Sequence, residues 1–417
     1  MLLFDFLYFI LLALTVPFWI IYLFKSDHRR LIGRRLSPRI RALGGRSIWI
    51  HAVSVGEVRS LKGLIRILSQ RQSRRLVLSV TTPAGFACAR QEYPQLIVVP
   101  APFDFLFCLK RFLARIDPDI VIFNELEVWP NWIYLLRKRA IPTVLINGRM
   151  SDAAFHRYAF FRFLMRPVLS RVNRILVQSD VYRERFLSFG IDPEKVRICG
   201  SIKADEAWQA VASLPRGDEV RSRLQFGASG KRLVTVASSH FADECLLIPA
   251  LPRLVERFFF IIVPRHPHRA GEIEQRLAEA GVPCVVFSRR DNRRLNGGVL
   301  IFDQIGYLFP ILSISDLVVM GGTQERRIGG HNLFEPAVLG KPIVGGRHFN
   351  NFPGIGQSLV DQGVYHLANS TAELAAFFQA SSRLDLKTIK ARAIAEVDRR
   401  RGALSCTVKE LQRMIAF

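Results

Sequence analysis

Short apolar runs alternate with amphipathic, helix-like runs along most of the chain, and this alternation restricts the possible folds more than any other feature. It begins at residue 47, weakens over the polar stretch 203–231, which Pro and Gly interrupt, and restarts at residue 233. Such alternation is typical of parallel, doubly wound sheets covered by helices. A chain of 417 residues is also too long for one ordinary core. We therefore predict an α/β protein with two Rossmann-like domains that face a cleft.

Ligands of such folds bind at the carboxyl ends of the strands, so polar residues directly after the apolar runs are the candidates for a functional site. The predicted strands are 47–53, 76–80, 97–99, 120–123, 143–146 and 174–177 in the first domain, and 233–237, 258–263, 284–287, 299–302, 317–320 and 342–344 in the second. The predicted segments are an anchor 1–24, a basic juxtamembrane segment 25–46, an N-terminal domain 47–205, a linker 206–231, a C-terminal domain 232–383 and a helical, basic end 384–417.

The first 24 residues are apolar apart from Asp5, and the run 6–24 is long enough to cross a bilayer. Basic residues dominate the segment that follows, and the positive-inside rule places this flank and the remaining chain in the cytoplasm. A cleaved signal peptide is the alternative, but it needs positive charges before the apolar run and a small-residue cleavage site. We predict an uncleaved transmembrane anchor.

The chain carries 59 Lys+Arg against 35 Asp+Glu, a net charge of +24, which implies an anionic partner. Membrane lipid, a phosphorylated substrate and nucleic acid all fit this charge. No zinc-finger, RNP or KH-like signature occurs, so we expect no nucleic acid. The cysteines, at positions 88, 108, 199, 245, 284 and 406, show no CxxC and no metal-ligand spacing with histidines. We predict reduced, mostly buried thiols and no metal site.

The stretch 321–342, GGTQERRIGGHNLFEPAVLGKP, follows an apolar strand-like run. Gly329 and Gly330 precede Asn332, which opens an apparent helix with Glu335 one turn along. Free backbone N–H groups at a helix N-terminus attract anions, and glycine lets a ligand approach closely. The pattern predicts an anion site, and the loop 323–328 receives no role.

Two acidic segments also follow predicted strands. Glu57, in HAVSVGE, lies near a helix N-terminus, where it is either a general base for a hydroxyl or a partner of the helix dipole. Glu125 and Glu127, in NELEVWPN, alternate, so we expect one to point into the cleft and the other away. Helix capping before Pro130 is the alternative role for this segment.

Basic and hydroxyl side chains end the strands of the second half. Arg265, between two prolines in VPRHP, suits a phosphate or carboxylate, although an exposed arginine without a ligand is the alternative. Ser238 and Ser239 are expected to cap the following helix, to bind phosphate at its N-terminus, or both. Lys203 stands where the predicted linker begins, a position where a lysine is usually solvated.

Taken together and in order, these motifs resemble 3-deoxy-D-manno-octulosonic acid (Kdo) transferases, the bacterial inner-membrane enzymes that add Kdo to the lipid A precursor. The similarity covers the chain from Trp49 to about Val364, plus the N-terminal anchor. The motifs are WIHAVSVGEV (49–58), TTPAG (81–85), ELEVWPN (125–131), NGRMSD (147–152), GSIKAD (200–205), ASSH (237–240), VPRHP (263–267) and GGHNLFEPAVLGKP (329–342).

The resemblance implies a GT-B glycosyltransferase with an N-terminal acceptor domain, a C-terminal domain for CMP-Kdo, and a C-terminal helix that crosses back to the first domain. It implies that Glu57 is the general base and that the second acidic catalytic position falls on Glu125, with Glu127 beside it, and it implies no metal and no cofactor. The implied nucleotide-sugar site comprises Lys203, Ser238, Ser239, Arg265, His266, Gly329, Gly330, Asn332 and Glu335. The implied acceptor site comprises Ser54, Gly56, Thr82 and Arg149, and the implied partners are CMP-Kdo, the lipid A precursor and the anionic inner membrane.

This sequence departs from the family pattern at Leu126, Ser201, the Leu333-Phe334 pair and the segment 347–351, and it lacks an arginine after NGRMSD. These departures concern the substrate more than the reaction, because the acidic and basic site residues are present. Two other functions fit the pattern. One is a GT-B lipid glycosyltransferase that uses a UDP-sugar, and the other is a membrane-tethered protein that binds an anionic ligand without catalysis.

Overall fold

The computed structural model describes residues 4, 32–36, 40–71, 74–224, 230–289 and 298–415. The chain forms two compact units. The first unit consists of two pieces of the sequence, the chain up to Ile202 and the residues from Arg401 onward. The second unit is the single stretch Lys203–Arg400. The predicted anchor and most of the segment 25–46 lie outside the described residues. Among the helices that are described, none combines the length and apolarity needed to cross a membrane.

The first unit is built on a seven-stranded parallel sheet with the order β3-β2-β1-β4-β5-β6-β7. Its strands are β1 (Ser47–Ala52), β2 (Arg75–Val80), β3 (Ile97–Pro100), β4 (Pro118–Asn124), β5 (Thr143–Gly148), β6 (Arg174–Val177) and β7 (Val196–Ile198). Its α-helices are Val55–Ser60, Lys62–Arg71, Pro83–Glu92, Leu106–Ile116, Pro130–Lys138, Asp152–Phe160, Arg162–Leu169, Asp180–Ser188 and Ala403–Met414, with a 3-10 turn at Pro193–Lys195.

Apolar side chains on both faces of these strands explain why helices cover the sheet on both sides. Successive side chains of a strand point to opposite faces. Trp49 therefore lies in one buried cluster, whereas Ile48 and Ile50 lie in the other. The second cluster also contains Leu404 and Leu411 of the C-terminal helix, so the last part of the chain completes the core of the first unit.

The second unit has a seven-stranded parallel sheet with the order β10-β11-β9-β8-β12-β13-β14. Its strands are β8 (Arg232–Ser239), β9 (Phe258–Pro264), β10 (Cys284–Val286), β11 (Val299–Ile301), β12 (Leu317–Met320), β13 (Ile343–Gly345) and β14 (Tyr365–Leu367). The α-helices are Ile202–Val211, Gly217–Arg223, Phe241–Leu247, Leu251–Leu254, Ala270–Glu279, Leu308–Ile314, Phe334–Val338, Pro353–Asp361, Thr371–Ala380 and Leu386–Asp398, with 3-10 turns at Ile248–Ala250, Pro267–Arg269, Phe287–Arg289 and Ser381–Arg383.

Two parallel, Rossmann-like sheets are therefore present, as the alternation predicts. The sequence analysis misses β7 and β14, which are three residues long and lie at the edges of the two sheets. The stretch predicted as the linker, 206–231, contains the end of helix Ile202–Val211 and all of helix Gly217–Arg223. Its Val220 and Leu224 are buried in a cluster with Phe259 of β9. Apolar residues at helical spacing hold this segment on the second unit despite its polar composition.

The cysteine prediction is wrong for two of the six residues. Cys199, just after β7, forms a disulfide with Cys406 of the C-terminal helix. The two are 207 residues apart in sequence, so no spacing pattern could reveal the pair. Free thiols are also less buried than predicted. Cys108 is buried, Cys88 and Cys284 are half-buried, and Cys245 is exposed.

Candidate active site

A cavity of about 370 Å³ opens at the carboxyl ends of β1, β4 and β5 in the first unit. Strands β1 and β4 are neighbours in the sheet but not in sequence, and ligands bind at such switch points in doubly wound folds. We call it the acid cavity. It is lined by Glu57, Glu125, Leu126, Glu127, Val128, Trp129, Arg149, Ser151, Ala154, Arg157 and Tyr158.

Glu57 is held by the turn between β1 and the helix Val55–Ser60. Ser54 is the N-cap of this helix, and its hydroxyl accepts from the Glu57 N–H at 3.4 Å. The Glu57 carboxylate points back towards the residues before the helix. There it accepts hydrogen bonds from the Val53 N–H at 3.0 Å and from the Ser54 hydroxyl at 3.1 Å. This arrangement resembles a capping box, which the spacing of Ser54 and Glu57 encodes. The carboxylate is thus fixed in place at the cavity wall.

Glu125 and Glu127 both line the acid cavity, so the prediction that one of them points away is wrong. Strand alternation ends at Glu125, whose φ of 58° lies in the left-handed region. That conformation is uncommon for a non-glycine residue, and it redirects the chain directly after β4. The capping alternative is also wrong. Trp129 is the N-cap of the helix Pro130–Lys138, and the carboxylate of Asp104 accepts from the Asn131 and Trp132 N–H groups.

The predicted acceptor residues take different places. Arg149, directly after β5, lines the acid cavity. Ser54 positions Glu57, and Gly56 lies in the first turn of the same helix. Thr82 is the N-cap of the helix Pro83–Glu92 and donates to the Val53 carbonyl at 2.8 Å, so its hydroxyl supports the turn that carries Glu57. Of the four, Arg149 is the one in the cavity lining.

Burial and mutual repulsion raise the pKa of two cavity carboxyls. Burial chiefly, and then the charge of Glu125, raise the pKa of Glu57 to about 7, against the lowering effect of its hydrogen bonds. Burial and the charges of Glu57 and Glu125 raise the pKa of Glu127 to about 7. A carboxyl with a pKa near neutrality can accept a proton from a substrate and release it again, as general bases require.

The second unit has its own switch point, between β8 and β12. Ser238 near the end of β8 has a φ of 55°, and the Gly321 N–H after β12 donates to the Ala237 carbonyl at 2.9 Å. A Cβ at Gly321 would lie 2.3 Å from the Ser238 carbonyl oxygen, so this approach of the two chains requires glycine. Arg265 follows β9, and its N–H donates to the Ser239 carbonyl at 3.0 Å.

Ser238 and Ser239 do not cap the next helix, contrary to one prediction. His240 is the N-cap of Phe241–Leu247. The Ser239 hydroxyl is buried and donates to Glu244 at 2.9 Å, and Arg269 is paired with the same carboxylate. The side chain of Ser239 is therefore part of a buried ion cluster. Ser238 and the exposed Arg265 remain at the strand ends.

Three histidines lie near Arg265. The Nε2 atoms of His240 and His331 are 2.8 Å apart, at hydrogen-bond distance, and the His266 ring centroid lies 5.9 Å from that of His240. Burial and neighbouring positive charge lower the pKa of His240 and of His331 to about 4 each. Burial chiefly also lowers the pKa of His266. The rings stay neutral near pH 7, so a hydrogen bond between two of them is possible.

Gly329 and Gly330 have positive φ values of 70° and 78°. The Gly330 N–H donates to the Gly322 carbonyl at 2.8 Å, and the Asn351 amide donates to the Gly330 carbonyl at 2.9 Å. The sequence analysis assigns no role to the loop 323–328. In the structure this loop forms hydrogen bonds with the segments beside Gly329 and Gly330. The hydroxyl of its Thr323 accepts from the Gly346 N–H at 2.8 Å.

Asn332 is predicted to open a helix, but the helix begins at Phe334 with Leu333 as its N-cap, so Asn332 lies just before it. The Asn332 amide donates to Glu335 at 2.9 Å, and its carbonyl oxygen accepts from the Phe334 N–H at 3.2 Å. The helix Phe334–Val338 has five residues, so its dipole is small. Burial raises the pKa of Glu335, whereas the Asn332 hydrogen bond and the charge of Lys203 lower it. Lys203 thus belongs to the surroundings of Glu335.

Within the described ranges, no group of three or more His, Cys, Asp or Glu side chains is arranged to hold a metal ion. Sequence reasoning misses Arg157 and Tyr158 in the acid cavity and the pairing of His240 with His331. The helical spacing of Arg157 and Tyr158 from Ala154 predicts a shared helix face. The sequence does not show that this face meets Glu57.

We expect Glu127→Gln to stabilise the protein at alkaline pH. The pKa of Glu127 is raised in the folded state, so the unfolded chain loses this proton at lower pH than the folded protein does. The stability of the fold therefore falls as pH rises from 4.5 to about 7 and stays reduced at higher pH. Thermal unfolding should show a higher Tm for Glu127→Gln than for wild type at pH 8, and the difference should shrink towards pH 5. The exposed Glu184→Gln is the control, and equal shifts for both variants would contradict the electrostatic account.

Comparison with known proteins identifies the family. A family model described as 3-deoxy-D-manno-octulosonic-acid transferase matches residues 28–206. A 3-deoxy-D-manno-octulosonic acid transferase of Chlamydia pneumoniae is 31% identical over 323 residues, which are 76% of this chain and 73% of the relative. A protein of the same description from Haemophilus influenzae is 30% identical over 356 residues, which are 82% of this chain and 81% of the relative.

Solved structures agree on the fold. A UDP-GlcNAc 2-epimerase from Neisseria meningitidis matches with a TM-score of 0.62 and 15% identity, over 88% of this chain and 100% of that chain. A glycosyltransferase from Rickettsia africae matches with a TM-score of 0.62 and 12% identity, over 90% of this chain and 100% of that chain. These likenesses concern the fold, that is, the two Rossmann-like sheets. The family model and these relatives confirm the resemblance read from the motifs: the chain belongs to the 3-deoxy-D-manno-octulosonic acid transferase family and is a glycosyltransferase.

Proposed function

We propose that the protein transfers Kdo from CMP-Kdo to a glucosamine hydroxyl of the lipid A precursor, lipid IVA, with inversion and without a metal. The observation that carries the proposal is the Glu57 carboxylate, held by two donors at the switch point of the first unit, with a pKa raised to about 7. A hydroxyl nucleophile needs such a base. We propose Kdo as the sugar because the relatives are described as Kdo transferases, and we propose CMP-Kdo and lipid IVA because the sequence motifs resemble that family.

In the proposed reaction, the acceptor hydroxyl gives its proton to Glu57 as its oxygen bonds to the anomeric carbon of Kdo. The bond between that carbon and the CMP phosphate oxygen breaks, and CMP leaves with the bonding electron pair. Glu125 would keep the pKa of Glu57 high through its charge, which makes Glu57 a stronger base than an ordinary carboxylate. Arg149 and Arg157 supply positive charge at the same cavity, which suits an acceptor that bears phosphate.

The second unit would hold the donor. Arg265 and the backbone near Ser238 would stabilise the charge that develops on the CMP phosphate, and the glycines at 329 and 330 leave space for it. Glu335, oriented by Asn332, would accept hydrogen bonds from the ribose hydroxyls. Lys203, whose charge acts on Glu335, would pair with the Kdo carboxylate.

We expect Glu57→Gln to lower the rate of Kdo transfer by about 10²–10⁴-fold, the usual contribution of a general base. The wild-type rate should fall below an apparent pKa near 7, because the protonated carboxyl accepts no proton. Glu125→Gln should move this acidic limb to lower pH, because it removes a charge that raises the pKa of Glu57. The measurement is product formation from CMP-Kdo and lipid IVA by mass spectrometry across pH.

Glu92→Gln is the control for this series, because Glu92 lies outside the cavity and pairs with Arg59. A Glu57→Gln enzyme that keeps the wild-type rate would remove Glu57 from the role of base. Unchanged acceptor with the wild-type protein would reject the proposed substrates altogether.

The main alternative is a lipid glycosyltransferase that uses a UDP-sugar. Two proteins of similar fold, one bound to UDP-glucose and one bound to UDP, are the reason to test it. Nucleotide competition separates the two. We expect CMP to compete with the donor and UDP to leave the rate unchanged at the same concentration. Stronger inhibition by UDP would favour the rival, and no inhibition by either nucleotide would favour a binding protein without catalysis.

We propose the inner membrane as the location, with one N-terminal span and both units in the cytoplasm. The apolar run 6–24 and the basic residues after it support this orientation. The Cys199–Cys406 disulfide argues the other way, because disulfides are rare in the reducing cytoplasm. Protease added to sealed spheroplasts should leave both units intact and should cleave them after lysis. Cleavage in sealed spheroplasts would place them in the periplasm.

A further inference from the structure

The first unit is completed by one helix from the C-terminal end of the chain, Ala403–Met414, which we call the closing helix. Its Leu404, Val408 and Leu411 are buried in the apolar cluster on one face of the first sheet. Apolar side chains in such a cluster gain free energy from leaving water, so the first unit keeps its full core only while the closing helix stays packed. Contacts that hold this helix therefore affect the stability of the first unit.

One of these contacts is covalent. Cys199, directly after β7, is joined to Cys406 in the closing helix. The Cys199 N–H donates to the Val177 carbonyl at the end of β6 at 3.0 Å, so the bond ties the closing helix to the edge of the sheet. The two cysteines are 207 residues apart, and a disulfide across a long loop restricts the unfolded chain more than one across a short loop. Neither cysteine is fully buried, so a reductant in solution can reach the pair.

Ion pairs also hold the closing helix. The carboxylate of Glu410 is buried and accepts from the Arg197 guanidinium at 2.6 Å, while the Arg174 guanidinium lies 3.8 Å away. Arg413 of the same helix also pairs with Glu410. These guanidinium groups are partly exposed to water, where an ion pair contributes little to stability. The disulfide is therefore the contact whose loss should loosen the helix most.

The closing helix also packs directly against the part of the chain that carries Glu57. A Cβ at Gly63 would lie 2.8 Å from the Leu404 side chain, so the closing helix and the helix Lys62–Arg71 are in close contact. That helix follows Val55–Ser60, the helix of Glu57, after a single residue. Side chains of all three helices belong to one buried cluster. Close-packed interiors transmit displacements, so a movement of Leu404 reaches the wall of the acid cavity.

We propose that the Cys199–Cys406 bond is a redox-sensitive clasp. Its oxidised form keeps the closing helix on the first unit and the acid cavity ordered, and reduction to two thiols loosens both. Disulfides in the reducing cytoplasm are usually transient, catalytic or redox-sensing, so the cytoplasmic location proposed above favours a switch over a permanent bond. The loosening of the helix is independent of the transfer reaction, whereas the expected change in rate rests on the proposed function.

The chemistry is a thiol–disulfide exchange with a dithiol reductant. One thiolate of the reductant attacks a sulfur of the clasp, forms a mixed disulfide and releases the other cysteine. The second thiol of the reductant then displaces the remaining cysteine. Two electrons pass to the clasp, each released sulfur takes up a proton, and the reductant leaves as a disulfide. The reverse exchange, with an oxidant of the disulfide class, restores the clasp.

The test compares oxidised and reduced full-length protein without donor or acceptor. Samples are equilibrated with oxidised glutathione or with dithiothreitol, and amide hydrogen exchange of the closing helix and of Val55–Ser60 is followed by mass spectrometry. The double variant Cys199→Ser/Cys406→Ser has no clasp, so it should exchange like the reduced wild type under both conditions. Cys245→Ser is the matched control, because it removes an exposed free thiol of the second unit and leaves the clasp intact.

We expect reduction to raise the exchange rate of the closing helix by at least about tenfold, because a disulfide across a long loop typically contributes more than the ~1.4 kcal/mol that this factor represents. The helix Val55–Ser60 should exchange faster as well, and Kdo transfer should slow on reduction and recover on reoxidation. Cys245→Ser should respond like the wild type.

Equal exchange in the oxidised and reduced wild type would overturn the proposal, as would alkylation of both clasp cysteines by N-ethylmaleimide in the oxidised sample. Faster exchange of the closing helix with no change in Val55–Ser60 would reject the switch and leave a purely structural bond. Absence of Kdo transfer in both forms would reject the proposed function without changing what the exchange rates say about the clasp.

Discussion

Both faces of each parallel sheet are covered by helices, and this constraint decides where a ligand can bind. Parallel strands need crossover connections, and those connections place helices on the two faces. The strand ends are then the edges at which polar side chains can meet a substrate. Glu57, Glu125 and Arg149 follow three adjacent strands of the first unit, and Ser238, Arg265 and Gly321 lie at the carboxyl ends of three adjacent strands of the second. Neither site is scattered, although the residues of each come from distant parts of the sequence.

The sequence was sufficient for the two sheets because the central strands are continuous apolar runs. The interior strands were predicted within about two residues, whereas the edge strands β7 and β14 were missed because each has only one buried residue and shows no apolar run. The site residues were predicted where a motif stands directly after a strand. Their geometry was not, because the left-handed conformation of Glu125 leaves no mark in the sequence. The Cys199–Cys406 pair and the His240–His331 contact depend on tertiary packing that no local pattern records.

The two sites differ in their electrostatics. The acid cavity gathers carboxyls that resist ionisation, because burial and mutual repulsion act in the same direction on Glu57 and Glu127. At the site in the second unit, burial and then the positive charge of neighbouring groups, Arg265 among them, lower the pKa of His240 and of His331, so these rings remain neutral beside the guanidinium. One unit thus offers a proton acceptor and the other a fixed cation. A transfer of a sugar from an anionic leaving group to a hydroxyl needs one of each.

The return of the chain to the first unit at Arg401 affects how this protein is made. Leu404 and Leu411 are buried against Ile48, Ile50 and other residues of the first sheet. On the ribosome, N-terminal domains usually fold first, while the rest of the chain is still being synthesised. Here the part of the first core that Leu404 and Leu411 complete stays open until the helix Ala403–Met414 has left the ribosome. The second unit is contiguous in sequence, so it can complete its core before the C-terminal helix is made. The first unit is therefore the first to be synthesised in part and the last to complete its core.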